Sequence, residues 1–522
     1  MSGNHLFDLI RSHMPVNPAA ARFCEMTDGR VYTYQDVLDV SGRFANVLVS
    51  RGVKPGDRVA VQVPKSIEAL MLYLGAVRAG AIFLPLNTAY TRNEIAYFLK
   101  DAEPTLFVAD PKRADEMREV ASECGVPQFE TLGVWRKPAA DETDADTGGT
   151  LAAAGLAASP DFTDVPRTKD DLAAILYTSG TTGRSKGAML SHECLASNAE
   201  ALVEHWRFTR DDVLIHALPI FHTHGLFVAT NTLLLAGGSM IFLPGLDVEK
   251  IIELLPRATS MMGVPTFYTR LLQRPELNRE LTKNMRLFIS GSAPLSAETH
   301  KEWSERTGHA ILERYGMTET NMNTSNPYDG ERRPGTVGMA LPGVSLRIAN
   351  PETGEVLKQG DVGVIEVKGP NVFKGYWRNP EKTAEEFRED GFFITGDLAF
   401  IDDEGYVHIV GRAKDLVISG GFNVYPAEVE AEIDALPGVA ESAVIGLPHA
   451  DFGEGVTAIV APRPGVNLSE DAIRSALEDA LAKYKVPKRV FVVDSLPRNT
   501  MGKIQKNVLR ETYKDTYSED AA

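Results

Sequence analysis

A segment rich in glycine and hydroxyl side chains carries the strongest chemical signal in the sequence. It runs Thr178-Ser-Gly-Thr-Thr-Gly-Arg-Ser-Lys186 and directly follows the apolar run 172–176. Its glycines let the backbone turn tightly and present N–H groups to an anion, while its hydroxyls and lysine add short donors and a point charge. The pattern predicts a cradle for a polyphosphate. The spacing differs from that of the Walker A motif, and a solvated surface loop is the competing interpretation.

Three further charged residues stand in settings that favour chemistry only when they are taken together. Glu319 follows an aromatic residue and a turn glycine, Asp397 follows a strand-like run and Thr-Gly, and Lys503 lies in a loop with Pro, Asn and Gly. Singly, they would be interpreted as a solvated helix-terminal charge, an ordinary turn and a solvated lysine. A long cation on a mobile loop, however, can bridge a carboxylate and a phosphate transiently.

These residues belong to a series of ordered segments that resembles the acyl-adenylate-forming superfamily, which includes acyl-CoA synthetases, peptide-synthetase adenylation domains and firefly luciferase. The segments run from the phosphate cradle to the C-terminus and cover nearly the whole chain. They are Arg314-Tyr-Gly-Met-Thr-Glu319, Tyr376-Trp-Arg-Asn-Pro380, Thr395-Gly-Asp397, Gly411-Arg-Ala-Lys-Asp415, Ser419-Gly-Gly-Phe-Asn-Val-Tyr-Pro426 and Pro497-Arg-Asn-Thr-Met-Gly-Lys503.

Within the superfamily, the chain is most similar to the malonyl-CoA synthetases. This similarity rests on His222-Thr-His-Gly225, Val264-Pro-Thr-Phe-Tyr-Thr-Arg270 and Arg286-Leu-Phe-Ile-Ser-Gly-Ser-Ala-Pro-Leu295. The resemblance implies ATP-dependent ligation of malonate, with methylmalonate as a further candidate, to coenzyme A through an acyl-adenylate. AMP and pyrophosphate would be the products.

The resemblance also assigns roles. Glu319 would hold Mg²⁺, Lys414 would be the hinge of a rotating small domain, and Gly420 and Gly421 would line the coenzyme A tunnel. The residues implied in catalysis are Lys503, Lys186, Thr318 and Glu319. Those implied in ATP binding are Thr178, Ser179, Gly180, Thr181, Thr182, Gly183, Lys186, Ser292, Ala293, Arg314, Tyr315, Gly316, Thr318, Asp397, Arg412 and Lys503.

The segments expected around the acid substrate contain more polar residues than a pocket for a fatty or aromatic acid would need. The candidates for substrate binding are His222, His224, Arg270, Arg286 and Ser292. A buried cation is costly unless an anion meets it, and a dicarboxylate supplies that anion. Which arginine dominates stays open. Two alternatives also stay open: a metal on the two histidines, and a surface ion pair between Arg270 and Glu276.

Two rival functions remain. One is the same fold ligating another short-chain or aromatic acid, and the other is a scaffold that keeps the nucleotide site without turnover. The presence of Lys186, Glu319, Asp397 and Lys503 speaks against the scaffold. No Cys-His or Gly-x-Ser-x-Gly arrangement points to a covalent enzyme intermediate, so we expect the acyl group to be carried as an adenylate.

The charge balance disfavours some classes of partner, and the cysteine content indicates a cellular compartment. The 522 residues include 54 Lys and Arg against 71 Asp and Glu, a formal charge of −17 that disfavours nucleic acids and anionic membranes as partners. The cysteines Cys24, Cys124 and Cys194 are distant and odd in number, which predicts reduced thiols in a cytoplasmic protein. A lysine acetyltransferase and deacetylase acting on Lys503 are candidate regulatory partners.

The elements that must position these residues follow an α/β pattern. The length exceeds one hydrophobic core, and we expect a large domain, 1–413, of stacked αβα subdomains plus a β-rich subdomain. A small mobile α+β domain, 414–522, should follow. Predicted strands include 58–63, 81–84, 106–109, 172–177, 345–349, 363–368, 406–410, 441–446 and 489–493. Predicted helices include 66–79, 91–100, 429–436 and 471–484, and 137–170 is predicted as a loop.

Overall fold

A computed structural model describes residues 3–135, 148–178, 185–419, 422–449, 451–478, 480–499 and 502–517. Seven predicted site residues lie outside these ranges, and the structure does not describe them. They are Ser179, Gly180, Thr181, Thr182 and Gly183 of the phosphate cradle, and Gly420 and Gly421 of the coenzyme A tunnel.

The first sheet has six strands in the order β6-β5-β3-β4-β7-β8, parallel except for the antiparallel pair β7–β8. That last pair frames the phosphate cradle, because the segment joining β7 to β8 lies between Thr178 and Lys186. Its strands are β3 (Arg58–Gln62), β4 (Ile82–Pro85), β5 (Leu106–Ala109), β6 (Gln128–Thr131), β7 (Leu172–Thr178) and β8 (Lys186–Ser191).

The second sheet has nine strands in the order β15-β14-β13-β12-β11-β9-β10-β1-β2, with a parallel centre and antiparallel edges. Its strands are β1 (Arg22–Met26), β2 (Val31–Thr33), β9 (Val213–His216), β10 (Ser239–Phe242), β11 (Ser260–Gly263), β12 (Leu287–Ser290), β13 (Leu312–Met317), β14 (Asn321–Ser325) and β15 (Met339–Ala340).

Helices cover and separate these two sheets. Those of the large domain are α1 (His5–His13), α2 (Tyr34–Ser50), α3 (Ile67–Arg78), α4 (Arg92–Ala102), α5 (Ala114–Glu123), α6 (Thr150–Ala157), α7 (His192–His205), α8 (Thr230–Ala236), α9 (Val248–Leu254), α10 (Pro265–Leu272), α11 (Ala297–Thr307) and α12 (Pro380–Glu386). Every residue of α3 is buried, and it packs on α2 where a Cβ at Gly75 would lie 3.0 Å from Phe44 Cβ. Glycine permits this close approach between the two helices.

A four-stranded antiparallel sheet follows, made of β16 (Ser345–Ala349), β17 (Gly363–Lys368), β18 (Phe393–Ile401) and β19 (Val407–Arg412). The 3₁₀ turn Ala413–Asp415 leads from it to the C-terminal sheet. The strands there are β20 (Val417–Ser419), β21 (Phe422–Val424), β22 (Val439–His449), β23 (Gly453–Pro462) and β24 (Arg489–Val492). Its helices are α13 (Pro426–Asp434), α14 (Glu470–Glu478) and α15 (Lys506–Tyr513).

The predicted fold class is confirmed: two stacked mixed sheets, a β-rich unit and a small α+β unit with its own cores. The strands predicted at 345–349 and 363–368 match β16 and β17 residue for residue. Two predictions were wrong in part. The predicted loop 137–170 contains α6, and the helix predicted over 471–484 ends at Glu478. In the parts of the chain that the structure describes, no helix combines the length and apolarity needed to cross a membrane.

Candidate active site

The site lies where the carboxyl ends of the second sheet's parallel strands meet. The segment after β9 carries His222 and His224, the loop after β12 carries Ser292, and β13 carries Arg314 and Tyr315. Strands β11, β12 and β13 run parallel, which brings these ends to one edge of the sheet. Crevices at such edges are the usual ligand sites of open α/β sheets.

The end of β13 and the edge of the β-rich sheet form one part of what we call the nucleotide site. Asp397 on β18 lies directly opposite Arg412 on β19, and the Arg412 Nε contacts Asp397 Oδ1 at 2.9 Å. The Tyr315 hydroxyl donates to Asp397 Oδ2 at 2.5 Å. Burial, followed by the Asp397 charge, raises the pKa of Tyr315 well above its usual value, so this hydroxyl keeps its proton. A fixed carboxylate between two donors is suited to accepting bonds from ribose hydroxyls.

The other part of the nucleotide site is built around Lys186, the first residue of β8. Its Nζ lies 3.3 Å from Glu386 Oε1 and 4.3 Å from the centre of the Tyr376 ring. The Tyr376 hydroxyl in turn lies 2.6 Å from Glu386 Oε2 and 3.1 Å from Glu319 Oε1. Glu319 is only 6% exposed, and burial raises its pKa. Thr318 stands beside it in the turn between β13 and β14.

A second group of side chains, which we call the acid pocket, comprises His222, His224, Ser292 and Arg314. The His224 Nδ1 is hydrogen-bonded to Ser292 Oγ at 3.2 Å, and Ser292 has a left-handed φ of +71°. Burial lowers the pKa of His222 to about 3 and that of His224 far below its usual value, with the Arg314 charge adding to both shifts. Both rings are therefore neutral at physiological pH and can act only through hydrogen bonds.

Arg314 is the most unusual member of the acid pocket. It is 2% exposed, and its Nε and Nη2 have no hydrogen-bond partner among the described residues. The guanidinium packs flat on Gly291, where a Cβ would lie 2.4 Å from Arg314 Cζ. Burial lowers the pKa of Arg314 to about 9, which leaves it charged at neutral pH. A buried, unpaired guanidinium is costly, so the pocket is built for an anion.

The two arginines that the sequence singled out for substrate binding lie elsewhere. Arg286 stands before the first residue of β12, at the end of the strand opposite Ser292, and forms a two-pronged ion pair with Asp212 at 2.7 Å for both bonds. This placement contradicts its prediction as a substrate ligand. Arg270 is exposed on α10, so the premise that it is a buried cation was wrong, and its predicted substrate role loses that support.

The structure also bears on two alternatives, a surface ion pair between Arg270 and Glu276 and a metal bound by the two histidines. Glu276 pairs with Arg274 at 3.2 Å, so the expected surface partner of Arg270 is engaged by another arginine. Among the residues that the structure describes, no group of three or more His, Cys, Asp or Glu side chains could hold a metal, which leaves the His222–His224 pair without a third ligand.

The small C-terminal unit brings Lys503 into the site. Its backbone N–H donates to Asn499 Oδ1 at 2.9 Å, which fixes the loop. Burial lowers the pKa of Lys503 to about 8, and the charges of Arg412, Asp397 and Arg314 are close enough to contribute. Lys503 also lowers the pKa of His222. The predicted catalytic lysine therefore lies between the nucleotide site and the acid pocket.

Sequence reasoning missed two contributors, Tyr376 and Glu386. Tyr376 stands in a quoted family motif without a role, and Glu386 follows it by ten residues as one of several glutamates on α12. Nothing in the sequence separates Glu386 from Glu385, because only the fold shows which of the two faces Lys186. Ala293 lies beside Ser292, Gly316 beside Tyr315, and Lys414 in the 3₁₀ turn 413–415, and their roles stay predictions.

Comparisons with known proteins define the class. Residues 12–377 match the model of the AMP-binding enzyme family, and residues 428–503 match the AMP-binding enzyme C-terminal domain. The first match spans more than half of the chain, so the chain belongs to this family. The predicted acyl-adenylate-forming superfamily is thereby confirmed.

The individual relatives narrow the class further. The ATP-bound crystal structure of MatB from Rhodopseudomonas palustris is 62% identical, with a TM-score of 0.94 over 99% of this chain and 100% of that chain. A malonate–CoA ligase from Arabidopsis thaliana is 33% identical over 98% of this chain and 90% of its own length. A feruloyl-CoA synthase from an Amycolatopsis species is 35% identical over 93% and 94%. The predicted AMP-forming acid–CoA ligase is confirmed as the class.

The conformation of the chain can also be compared with the ATP-bound and apo structures of the same relative. The apo structure of the same MatB, at the same 62% identity and coverage, has a TM-score of only 0.84 against this chain. The sequence difference is equal in both comparisons, so the lower score reflects conformation. The present conformation is therefore more similar to that of the ATP-bound relative than to that of the apo relative.

Proposed function

We propose that the chain is an ATP-dependent malonate–CoA ligase that forms malonyl-adenylate and then malonyl-CoA, with AMP and pyrophosphate as products. The observation that carries the choice of acid is Arg314, a buried guanidinium without a partner among the described residues. Malonate has one carboxylate to activate and a second to meet this cation. The malonate–CoA ligase of Arabidopsis thaliana among the relatives supports the same acid.

In the first half-reaction, an oxygen of one malonate carboxylate attacks the α-phosphorus of ATP. A C–O–P linkage forms, the bond from the α-phosphorus to the bridging oxygen breaks, and pyrophosphate leaves. Two anions must approach one another, so cations at the reacting atoms lower the barrier. Lys503, which lies near Asp397 and Arg314, would supply one such cation, while Lys186 would meet the departing phosphates.

The distal carboxylate of malonate would lie in the acid pocket. Arg314 would supply charge-assisted hydrogen bonds through Nε and Nη2, and the neutral His222 and His224 would add bonds through their unpaired ring nitrogens Nδ1 and Nε2. This moves Arg314 from the ATP-binding set predicted from the sequence to the acid-binding set. Methylmalonate would present the same two carboxylates.

Glu319 fits the role of a magnesium ligand. Its carboxylate is buried, and its pKa is raised by burial and by the Glu386 charge, so a cation there would relieve the cost of ionising it. One carboxylate with phosphate oxygens is the usual protein contribution to a Mg²⁺–nucleotide site. When bound, the ion would neutralise charge on the phosphates. The chain itself holds Glu319 through Tyr376 and keeps its carboxylate close to Lys186.

In the second half-reaction, the coenzyme A sulfur attacks the acyl carbon, the thiol loses its proton, and AMP leaves. Gly420 and Gly421 stay predicted contacts of the pantetheine arm, and Lys414 stays the predicted hinge about which 414–522 rotates. Acetylation of Lys503 would remove the cation that the first half-reaction needs, so a lysine acetyltransferase and deacetylase remain candidate regulators. A cytoplasmic location is part of the same proposal.

The test is AMP release by the unchanged chain with malonate, propionate and ferulate. We expect kcat/KM for malonate to exceed that for propionate by about 10²- to 10⁴-fold, because propionate leaves a buried polar site unpaired. Ferulate should be a poor substrate as well, since it has no second carboxylate to meet Arg314. Equal efficiency with propionate or ferulate would contradict malonate as the substrate and favour a ligase for another acid.

A further inference from the structure

The network around Lys186 contains a carboxylate that the proposed reaction does not use. Glu386 ends α12, and its Oε1 contacts Lys186 Nζ at 3.3 Å and Lys382 Nζ at 3.1 Å, while its Oε2 accepts a hydrogen bond from the Tyr376 hydroxyl at 2.6 Å. Lys186 and Glu386 are each 21% exposed, so water screens the pair only in part. The charge of the phosphate-cradle lysine is therefore neutralised inside the protein before any nucleotide arrives.

The position of Lys186 is fixed by more than this one contact. Its ammonium lies 4.3 Å from the centre of the Tyr376 ring, which holds the cation by an attraction to the aromatic face. The backbone N–H of Tyr376 donates to Thr383 Oγ1 at 2.9 Å, which ties this ring to α12. Glu386 and Tyr376 thus hold the lysine ammonium at one position.

The Glu386 carboxylate at this position disfavours the binding of a polyphosphate to Lys186. A phosphate that binds Lys186 must take the lysine from Glu386 or share it, and in either case two like charges approach. Glu386 also lies close enough to Glu319 to raise the pKa of that carboxyl. Glu386 therefore disfavours the binding of the nucleotide groups that Lys186 would hold, the β- and γ-phosphates.

We propose that Glu386 acts as an internal competitor for Lys186: it occupies the lysine in the unliganded protein, weakens the hold on ATP, and recaptures the lysine when pyrophosphate leaves. This inference rests on the proposed function, because it takes Lys186 as a phosphate-binding residue. Glu386 is a positioning residue, since it acts through Lys186 and not on the substrate.

The direct test measures equilibrium binding of ATP, pyrophosphate and AMP without malonate, so that no reaction occurs. In Glu386→Gln, we expect ATP and pyrophosphate to bind about three- to fivefold more tightly, the range of a partly exposed ion pair. AMP lacks the β- and γ-phosphates and should bind unchanged. A general structural change would alter all three ligands together, and that result, or weaker ATP binding, would overturn the proposal.

The chain offers a matched control one position away. Glu385 is 65% exposed and, within the described chain, pairs with Lys382, which also contacts Glu386, so Glu385→Gln removes the same charge without removing a contact to Lys186. It should leave all three affinities unchanged. An equal effect of Glu385→Gln and Glu386→Gln would show that net charge alone is responsible, and would overturn the proposal.

A double substitution separates competition for the lysine from simple repulsion of phosphate. In a Lys186→Ala background, Glu386→Gln should no longer tighten ATP binding, because the competed group is gone. A three- to fivefold effect that persists in this background would overturn the proposal in favour of direct repulsion. If the unchanged chain binds neither ATP nor AMP, the proposed function fails first; a chain that binds ATP and ligates malonate normally while Glu386→Gln has no effect disproves only the competitor.

Discussion

On the nucleotide side of the cleft, Lys186 and Arg412 each contact a carboxylate, whereas on the acid side Arg314 contacts none among the described residues. Both regions will receive anions of the same reaction, yet they are prepared differently. The nucleotide site is partly exposed and carries internal counterions that a ligand must displace. The acid pocket is buried and keeps its cation unpaired.

The difference follows from what each ligand can supply. Under the proposed function, ATP carries several charges, so its phosphates can replace Glu386 as the partner of Lys186 without leaving that cation bare. A small dicarboxylate has one spare charge, and an internal partner for Arg314 would cancel its binding energy. The protein instead leaves Arg314 unsatisfied, and that cost is recovered only when a dicarboxylate binds.

The largest expected effect comes from the cation that joins the two regions. Lys503→Ala should reduce adenylate formation by about 10³-fold or more, because we propose that Lys503 meets the α-phosphate in this arrangement. Thioester formation from supplied malonyl-adenylate should be largely preserved. Pyrophosphate exchange and thioester assays measure the two steps separately, and equal loss in both would remove Lys503 from its assigned role.

The second effect tests whether the arrangement must change between steps. Lys414 lies in the first turn of the 3₁₀ segment 413–415, where a proline is tolerated, but a fixed φ should hinder rotation of the C-terminal unit. Lys414→Pro should slow thioester formation by about tenfold or more while adenylation changes little. Unchanged thioester formation would show that the hinge lies elsewhere.

The third effect separates the paired arginine from the unpaired one. Arg286→Ala leaves Asp212, which is 3% exposed, without its charged partner, and should lower the free energy of unfolding by about 1–3 kcal/mol. The ratio of malonate to propionate efficiency should stay the same. The matched control Arg257→Ala removes an exposed arginine and should cost about 0.5 kcal/mol or less. A changed acid preference in Arg286→Ala would return this residue to the acid-binding set.

The smallest effect is on pH dependence. Lys503 must be charged to act, and its pKa of about 8 in the unliganded protein means that the cation is present below pH 8 and lost above it. The kcat/KM for adenylation, followed by pyrophosphate exchange, should therefore fall as pH rises through about 8. The residual exchange of Lys503→Ala should lack this step, and a parallel fall in that variant would assign it to another group.

Much of the fold was predictable because short local sequence patterns determine its helices and strands. Thr91 and Glu94 form a capping box at the start of α4, and short apolar runs between turns mark β16 and β17. The helix α6 was missed because its alanine-rich sequence follows an acidic segment and gives no amphipathic period. Helix α14 spans Glu470–Glu478 and buries Ile473 and Leu477, and it ends six residues before the predicted end at 484.

The site was predictable where motifs carry it and failed where pairing across the fold decides. Lys186, Glu319, Asp397, Arg412 and Lys503 are brought together as their motifs require. The ion-pair partners of the arginines could not be predicted in this way. Arg286 is paired with Asp212, 74 residues away, and no local pattern indicates that contact. Because an arginine's partner is set by tertiary packing, the sequence could not tell which arginine stays unpaired.

The central claim is that the unpaired arginine of the acid pocket selects a dicarboxylate, and substitution of Arg314 tests it most directly. The measurement is kcat/KM for malonate and propionate in Arg314→Met, which keeps the apolar volume beside Gly291, with Arg270→Ala as the comparison at an exposed arginine. We expect malonate to lose about 30- to 3000-fold in Arg314→Met, while propionate loses far less or improves. Arg270→Ala should preserve the preference. If Arg314→Met kept the parent's preference for malonate, or if Arg270→Ala abolished it, the account of the acid pocket would be contradicted.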